Sequence, residues 1–160
     1  MSVHDEEERE THAPRARGGL DGALTYRADL DGVDWEALRR DLIADHFHNG
    51  RTTSQLRLSF ENSAAVAMAH DGTCCVASGR LLSDGVGNAY VLDVWTRSDR
   101  RRRGIAHRIM RMLIDAVPGQ HVYLQTDDAV AFYERLGFRT QPTGMSLVAG
   151  EYLSNSTRTG

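Results

Sequence analysis

The chain contains no lysine: all 19 of its basic residues are arginine. Schiff-base chemistry and a P-loop phosphate lysine are excluded, because both need an ε-amine. Cysteine is scarce, with only Cys74 and Cys75, side by side. On a strand, adjacent side chains leave opposite faces, so this pair neither bridges easily nor shares a metal. A reducing, cytoplasmic setting is expected. No apolar run approaches the roughly 20 residues of a membrane helix, and no apolar segment follows Met1 as a secretory signal would require. The net charge of −3 lacks the one-sided excess that would draw the molecule to nucleic acid or anionic lipid.

What remains suits one globular domain: 160 residues, 41% hydrophobic and 26% charged. Residues 1–19 read as a disordered tail, acidic at Asp5, Glu6, Glu7, Glu8 and Glu10 and too poor in apolar groups to offset ordering entropy. Residues 154–160 read as a flexible C-terminal tail, leaving a domain over 20–153. Within it, Ala23–Ala28 is a candidate strand. Trp35, Leu38, Leu42 and Ile43 follow helical spacing behind Asp34 as a cap, to about His46. Thr52 or Thr53 opens a second helix ending near Asn62. Ala64–Ala69 and Thr73–Leu82 form a hairpin about Asp71-Gly72, and Asn88–Thr96 is the next strand. Ile105, Ile109, Met112, Leu113 and Ala116 mark a third helix stopped at Pro118-Gly119. His121–Thr126 is a strand, Ala129 to Leu136 a helix closed by Gly137, and Phe138–Thr140 with Met145–Val148 are final short strands. The order predicts an α/β (α+β) mixed sheet of six to seven strands, mostly antiparallel, with about four helices.

Chemistry concentrates where the strand at Val91–Thr96 runs through a polar loop into Arg100-Arg101-Arg102-Arg103-Gly104-Ile105-Ala106. A helix start carries unpaired N–H groups and partial positive charge. Small residues at 104 and 106 let a bulky anion approach that backbone, which is the logic of a pyrophosphate cradle. The arginine run also reads as a solvated loop or a nucleic-acid patch. There is no Gly-x-Gly-x-x-Gly, which argues against a dinucleotide fold.

Residues Arg101-Arg102-Arg103-Gly104-Ile105-Ala106 match the Arg/Gln-x-x-Gly-x-Gly/Ala signature of the GCN5-related N-acetyltransferase (GNAT) superfamily, which this chain resembles. About thirty residues on, Phe132-Tyr133-Glu134-Arg135-Leu136-Gly137-Phe138 is similar to that family's Phe-Tyr-x-x-x-Gly-Phe element. The resemblance spans roughly Ala23–Leu153. It implies a GNAT fold with splayed central strands, and acetyl-CoA held by Arg101, Arg102, Arg103, Gly104, Ile105 and Ala106. It further implies that Val94 and Thr96 bond the pantetheine arm and that Tyr133 protonates the departing thiolate. By spacing alone, Tyr133 shares an apolar face with Phe132 and Leu136 and is a core residue. Where the family often has asparagine before the last helix, Thr126-Asp127-Asp128 stands here, with either aspartate a candidate cap.

The resemblance implies that a substrate amine attacks the thioester directly in a ternary complex, needing orientation, a base and an oxyanion donor. The amide of Val94 is the donor candidate. Asp93 is the first candidate base, acting through water, with Glu61, His48 and His70 as rivals. The first two helices and their loop are expected to wall the acceptor site, with His48, Arg51, Arg57 and Glu61 as candidates. Arg51 or Arg57 could take a carboxylate, and Glu61 or Asp93 an ammonium. His46 and His48 with Asp45 lack a third defined metal ligand, so no metal is expected. The function expected is acetyl-CoA-dependent N-acetylation of a small primary amine. The alternatives are acetylation of a protein or peptide and non-catalytic CoA binding. Neither membrane nor nucleic acid is an expected partner, and a homodimer is left open.

Overall fold

The structure, a computed structural model, describes residues 23–142 and 144–153; the tails expected at 1–19 and 154–160 lie outside them. The chain runs β1 (Thr25–Arg27), α1 (Trp35–Ala44), α2 (Thr53–Glu61), β2 (Ala65–Asp71), β3 (Cys74–Ser83), β4 (Asn88–Thr96), a 3-10 turn (Ser98–Arg100), α3 (Ile105–Asp115), β5 (His121–Tyr123) and α4 (Val130–Arg135). Local chemistry explains the starts. Asp34 accepts from the Ala37 amide at 2.9 Å and caps α1. Thr52 and Gln55 exchange side-chain-to-backbone bonds in a capping box that opens α2. The β2–β3 hairpin closes on Gly72-Thr73, one residue later than expected, because Asp71 is still paired with Cys74. Helix α1 stops at Ala44, short of the expected His46, whose φ of 55° leaves the helical region.

The sheet order is β1-β2-β3-β4-β5, antiparallel except for the parallel β4–β5 pair. One face is covered by α3 and α4 over Ala67, Ala69, Val76, Ala77, Leu81 and Val91. On the other, Leu38 and Leu42 of α1 and Leu56 and Phe60 of α2 pack on Met68, Cys75 and Trp95. Helix α3 lies close: a Cβ at Gly79 would come within 2.7 Å of Ile109 Cγ2. Glycine is what permits that approach.

Five strands form among the described residues, rather than six to seven. Phe138–Thr140 and Met145–Val148 are not strands. Alternating apolar residues make a strand only beside a partner, and β5 ends at Tyr123, offering a three-residue edge. Met145 and Leu147 are accordingly 92% and 93% exposed. No helix among the described residues is long and apolar enough to cross a membrane.

Two irregularities create a site. Strand β4 pairs with β5 only over Asn88–Tyr90, then runs on to Thr96 without it. Opposite β3, the register steps from Ser78↔Trp95 to Arg80↔Leu92, so Asp93 and Val94 together face Gly79 alone. This is a bulge, with Asp93 at φ 52°, a conformation aspartate tolerates better than most residues.

Candidate active site

At the entrance to α3, Gly104 is the N-cap with φ 77° and no side-chain cap. The first bond into the helix runs from the Arg108 amide to Gly104 O at 3.1 Å. The amides of Gly104, Ile105, Ala106 and His107 therefore meet no acceptor among the described residues. A Cβ added at Gly104 would meet nothing within 4 Å, so the space over the turn is open. Arg102 also takes a positive φ, 62°, within this turn.

The four arginines are not equivalent. Arg100 pairs with Asp71 and Asp99. Arg101 donates through Nε to Thr96 O at 3.1 Å and lies 3.5 Å from Asp45. Asp45 ends α1 and also accepts from the Trp95 indole at 2.9 Å and the Ser98 amide at 3.0 Å. Its burial raises the carboxyl pKa, but the bonds from Ser98 and Trp95 outweigh that and hold it below the ordinary value. Sequence reasoning did not assign Asp45 this role; bonds across 50 residues leave no local signal.

The free edge of β4 lies beside this turn. The Arg97 amide bonds to Val76 O on β3 at 2.9 Å. By alternation, Thr96 and Val94 turn their backbone groups toward the side β5 has left. Thr96 Oγ1 is buried with no partner among the described residues.

On the α1–α2 face the bulge presents Asp93 to two guanidiniums. Arg51 binds it through Nη1 and Nη2, both at 2.9 Å, and Arg80 through Nε. Arg51 is further held by Asn49 Oδ1 and Ser59 Oγ and is 7% exposed. Burial raises the Asp93 pKa, yet hydrogen bonds from Arg51 and Arg80 lower it below the usual carboxylate value. A carboxylate so held is a poorer proton acceptor than an ordinary one, which weighs against the base expected at this position. Arg80 was not among the expected site residues; an arginine inside an otherwise apolar strand is the signal that could have found it.

The other candidates are dispersed. Arg57 and Glu61 pair with each other at 2.6 Å on an exposed part of α2, and no contact joins them to Asp93. His48 is exposed and accepts from the Gly50 amide. His70 is buried with both ring nitrogens unpartnered among the described residues; burial, then the charge of Arg27, depresses its pKa and keeps it neutral. Tyr133 packs edge-on against Phe132 and Phe138 at 5.0 and 5.9 Å between ring centres. Burial, reinforced by Asp128, raises its pKa, so the phenol keeps its proton. Neither Asp127 nor Asp128 caps α4: the hydroxyl of Thr126 accepts from the Ala129 amide at 3.1 Å.

Solved structures share this architecture. A protein from Xanthomonas campestris placed in the GNAT family superposes with a TM-score of 0.70 at 23% identity, covering 83% of this chain and 99% of that one. A GNAT-family acetyltransferase from Streptococcus pneumoniae gives 0.68 at 25% identity over 81% and 100%. Glucosamine-6-phosphate N-acetyltransferase from Arabidopsis thaliana gives 0.60 at 17% identity over 79% and 99%. No curated protein matches the sequence. The Acetyltransferase (GNAT) family model matches residues 35–138, from the first residue of α1 to just beyond α4. With that match across most of the domain, and with the bulged, half-freed fourth strand leading into an uncapped helix, the chain belongs to the GNAT acetyltransferase family.

Proposed function

We propose that the protein transfers an acetyl group from acetyl-CoA to the primary amine of a small molecule, by direct attack in a ternary complex. The observation that carries this reading is the row of unpartnered amides from Gly104 to His107 beside the open edge of β4. Those amides suit a pyrophosphate, which needs several convergent donors and room for its oxygens. Arg101, Arg102 and Arg103 add positive charge around it. The orphaned Thr96 Oγ1 and the backbone of Val94 and Thr96 suit an extended amide-bearing arm laid beside β4. Bound there, acetyl-CoA supplies an activated acetyl thioester.

The chain's own groups then have distinct tasks. The Val94 amide, released from β3 by the bulge, donates to the acetyl oxygen as negative charge grows on it. Tyr133, protonated at neutral pH, gives its phenolic proton to the leaving sulfur. The amine's surplus proton passes to water, because Asp93 is committed to Arg51 and Arg80. Asp93 thus fixes the floor of the acceptor site. Direct attack asks for no metal and no covalent enzyme intermediate.

Calorimetry with acetyl-CoA tests the reading, with free-thiol release over a panel of amines. Binding and thiol release that depends on amine are expected. No binding at about 100 μM would overturn it. Acetylation of peptides alone would shift the acceptor to protein, and binding without transfer to any amine or peptide would leave a non-catalytic module.

A further inference from the structure

We infer that the acceptor amine also bears a carboxylate, and that Arg80 binds it. The inference rests on the acetyl-transfer reading and names its substrate class. Arg51, Arg80 and Asp93 form a cluster whose side chains are only 8%, 13% and 16% exposed. Two guanidiniums face one carboxylate, so a full positive charge remains uncompensated in a largely desolvated place. Such a charge favours a counter-anion, and Arg80, still 13% exposed, is open for one to reach.

The donors identify where that anion sits. Arg51 is largely engaged, four of its five N–H groups being taken: Nε on Asn49, Nη1 on Ser59 and Asp93, and Nη2 once on Asp93. Arg80 is not. Its Nε is on Asp93 and its Nη1 reaches Ser59 O at 3.3 Å, while Nη2 has no acceptor among the described residues. Asp93 thus holds one edge of the guanidinium and leaves the other, Nη1 with Nη2, as a fork for a planar two-oxygen anion. Charge selects between anions. One residual positive charge matches a carboxylate, whereas a phosphate monoester brings about −1.5 to −2 near neutral pH. Position agrees: Arg80 is registered opposite Leu92, the residue before the bulge that frees the Val94 amide. The acceptor's anionic end and its reacting end are therefore set by neighbouring steps of one ladder. Arg57 cannot compete, since Glu61 already takes its charge on an exposed helix face.

The test is acetyl transfer by the full chain to matched acceptors: amino acids, their amides, the corresponding decarboxylated amines, and amines carrying a phosphate instead. For the carboxylated members, kcat/KM should exceed that of their uncharged counterparts by at least about tenfold. Arg80→Gln should level that difference while leaving acetyl-CoA affinity unchanged. Equal use of the amides, preference for the phosphate series, a preference that survives in Arg80→Gln, or no transfer to any member with acetyl-CoA bound would each overturn the inference. Should Arg80→Gln not fold, the series on the unaltered chain decides alone. Failure of acetyl-CoA to bind is a separate result, and it strikes the acetyl-transfer reading itself.

Discussion

The carboxylate of Asp45 accepts the indole N–H of Trp95 at 2.9 Å, tying the end of α1 to the end of β4. The same carboxylate takes the Ser98 amide, so one side chain sets where β4 stops and the loop toward α3 begins. Asp45→Ala would strand a buried indole N–H and an amide. A loss of about 2–3 kcal/mol of stability is expected, together with weaker acetyl-CoA binding as the α3 entrance shifts. Urea unfolding and calorimetry on the same variant measure both. Unchanged binding would show that the turn holds its shape without this tie.

Gly104→Val places a branched side chain at φ 77°, where L-residues are strained, and fills the open space above the turn. Acetyl-CoA affinity should fall by about tenfold or more, while circular dichroism retains the helical signal. Retained affinity would remove the turn as the phosphate site.

Tyr133→Phe removes a hydroxyl that no described side chain accepts, so the fold should be nearly indifferent. Turnover should drop by on the order of a hundredfold at unchanged KM for acetyl-CoA. Full turnover in this variant would return Tyr133 to the packing role that its spacing alone suggests.

Acid should unfold the protein in a definite window. The carboxyls of Asp45 and Asp93 lie below their ordinary value in the folded chain. A depressed carboxyl contributes stability that is complete above its unfolded pKa, about 3.9, and is lost as pH falls through the folded one. Tm should be level from pH 7 to about 5 and fall steeply below about 4. Asp93→Asn would leave two buried guanidiniums without their anion and cost about 3–5 kcal/mol at neutral pH. A flat acid profile would count against both ion clusters.

Gly79→Ala should cost about 1–3 kcal/mol, because its Cβ would press Ile109 and Leu113 of α3 out of place. Chemical denaturation checks it; no change in midpoint would mean that α3 gives way freely.

The signature turn was legible because its signal is local: an arginine run, a glycine and an alanine ahead of an amphipathic helix. The boundaries of β4 and the caps Asp34 and Thr52 were legible for the same reason. The bulge at Asp93-Val94 was not, since two residues opposing one is a property of two strands together. Asp93 appeared as a lone acid beside the acetyl group; its arginines arrive from 42 and 13 residues away. The last two strands failed because alternation records a preference and carries no information about a neighbouring edge.

The early parting of β4 from β5 bears on how the catalyst is loaded. The strand edge left open beyond Tyr90 can be approached from both faces of the sheet. On the proposed acetyl-transfer reading, the thiol carrier and the acceptor would enter from opposite faces, so that both can be bound at once. Initial-rate plots with both reactants varied should accordingly intersect, the pattern of a sequential scheme.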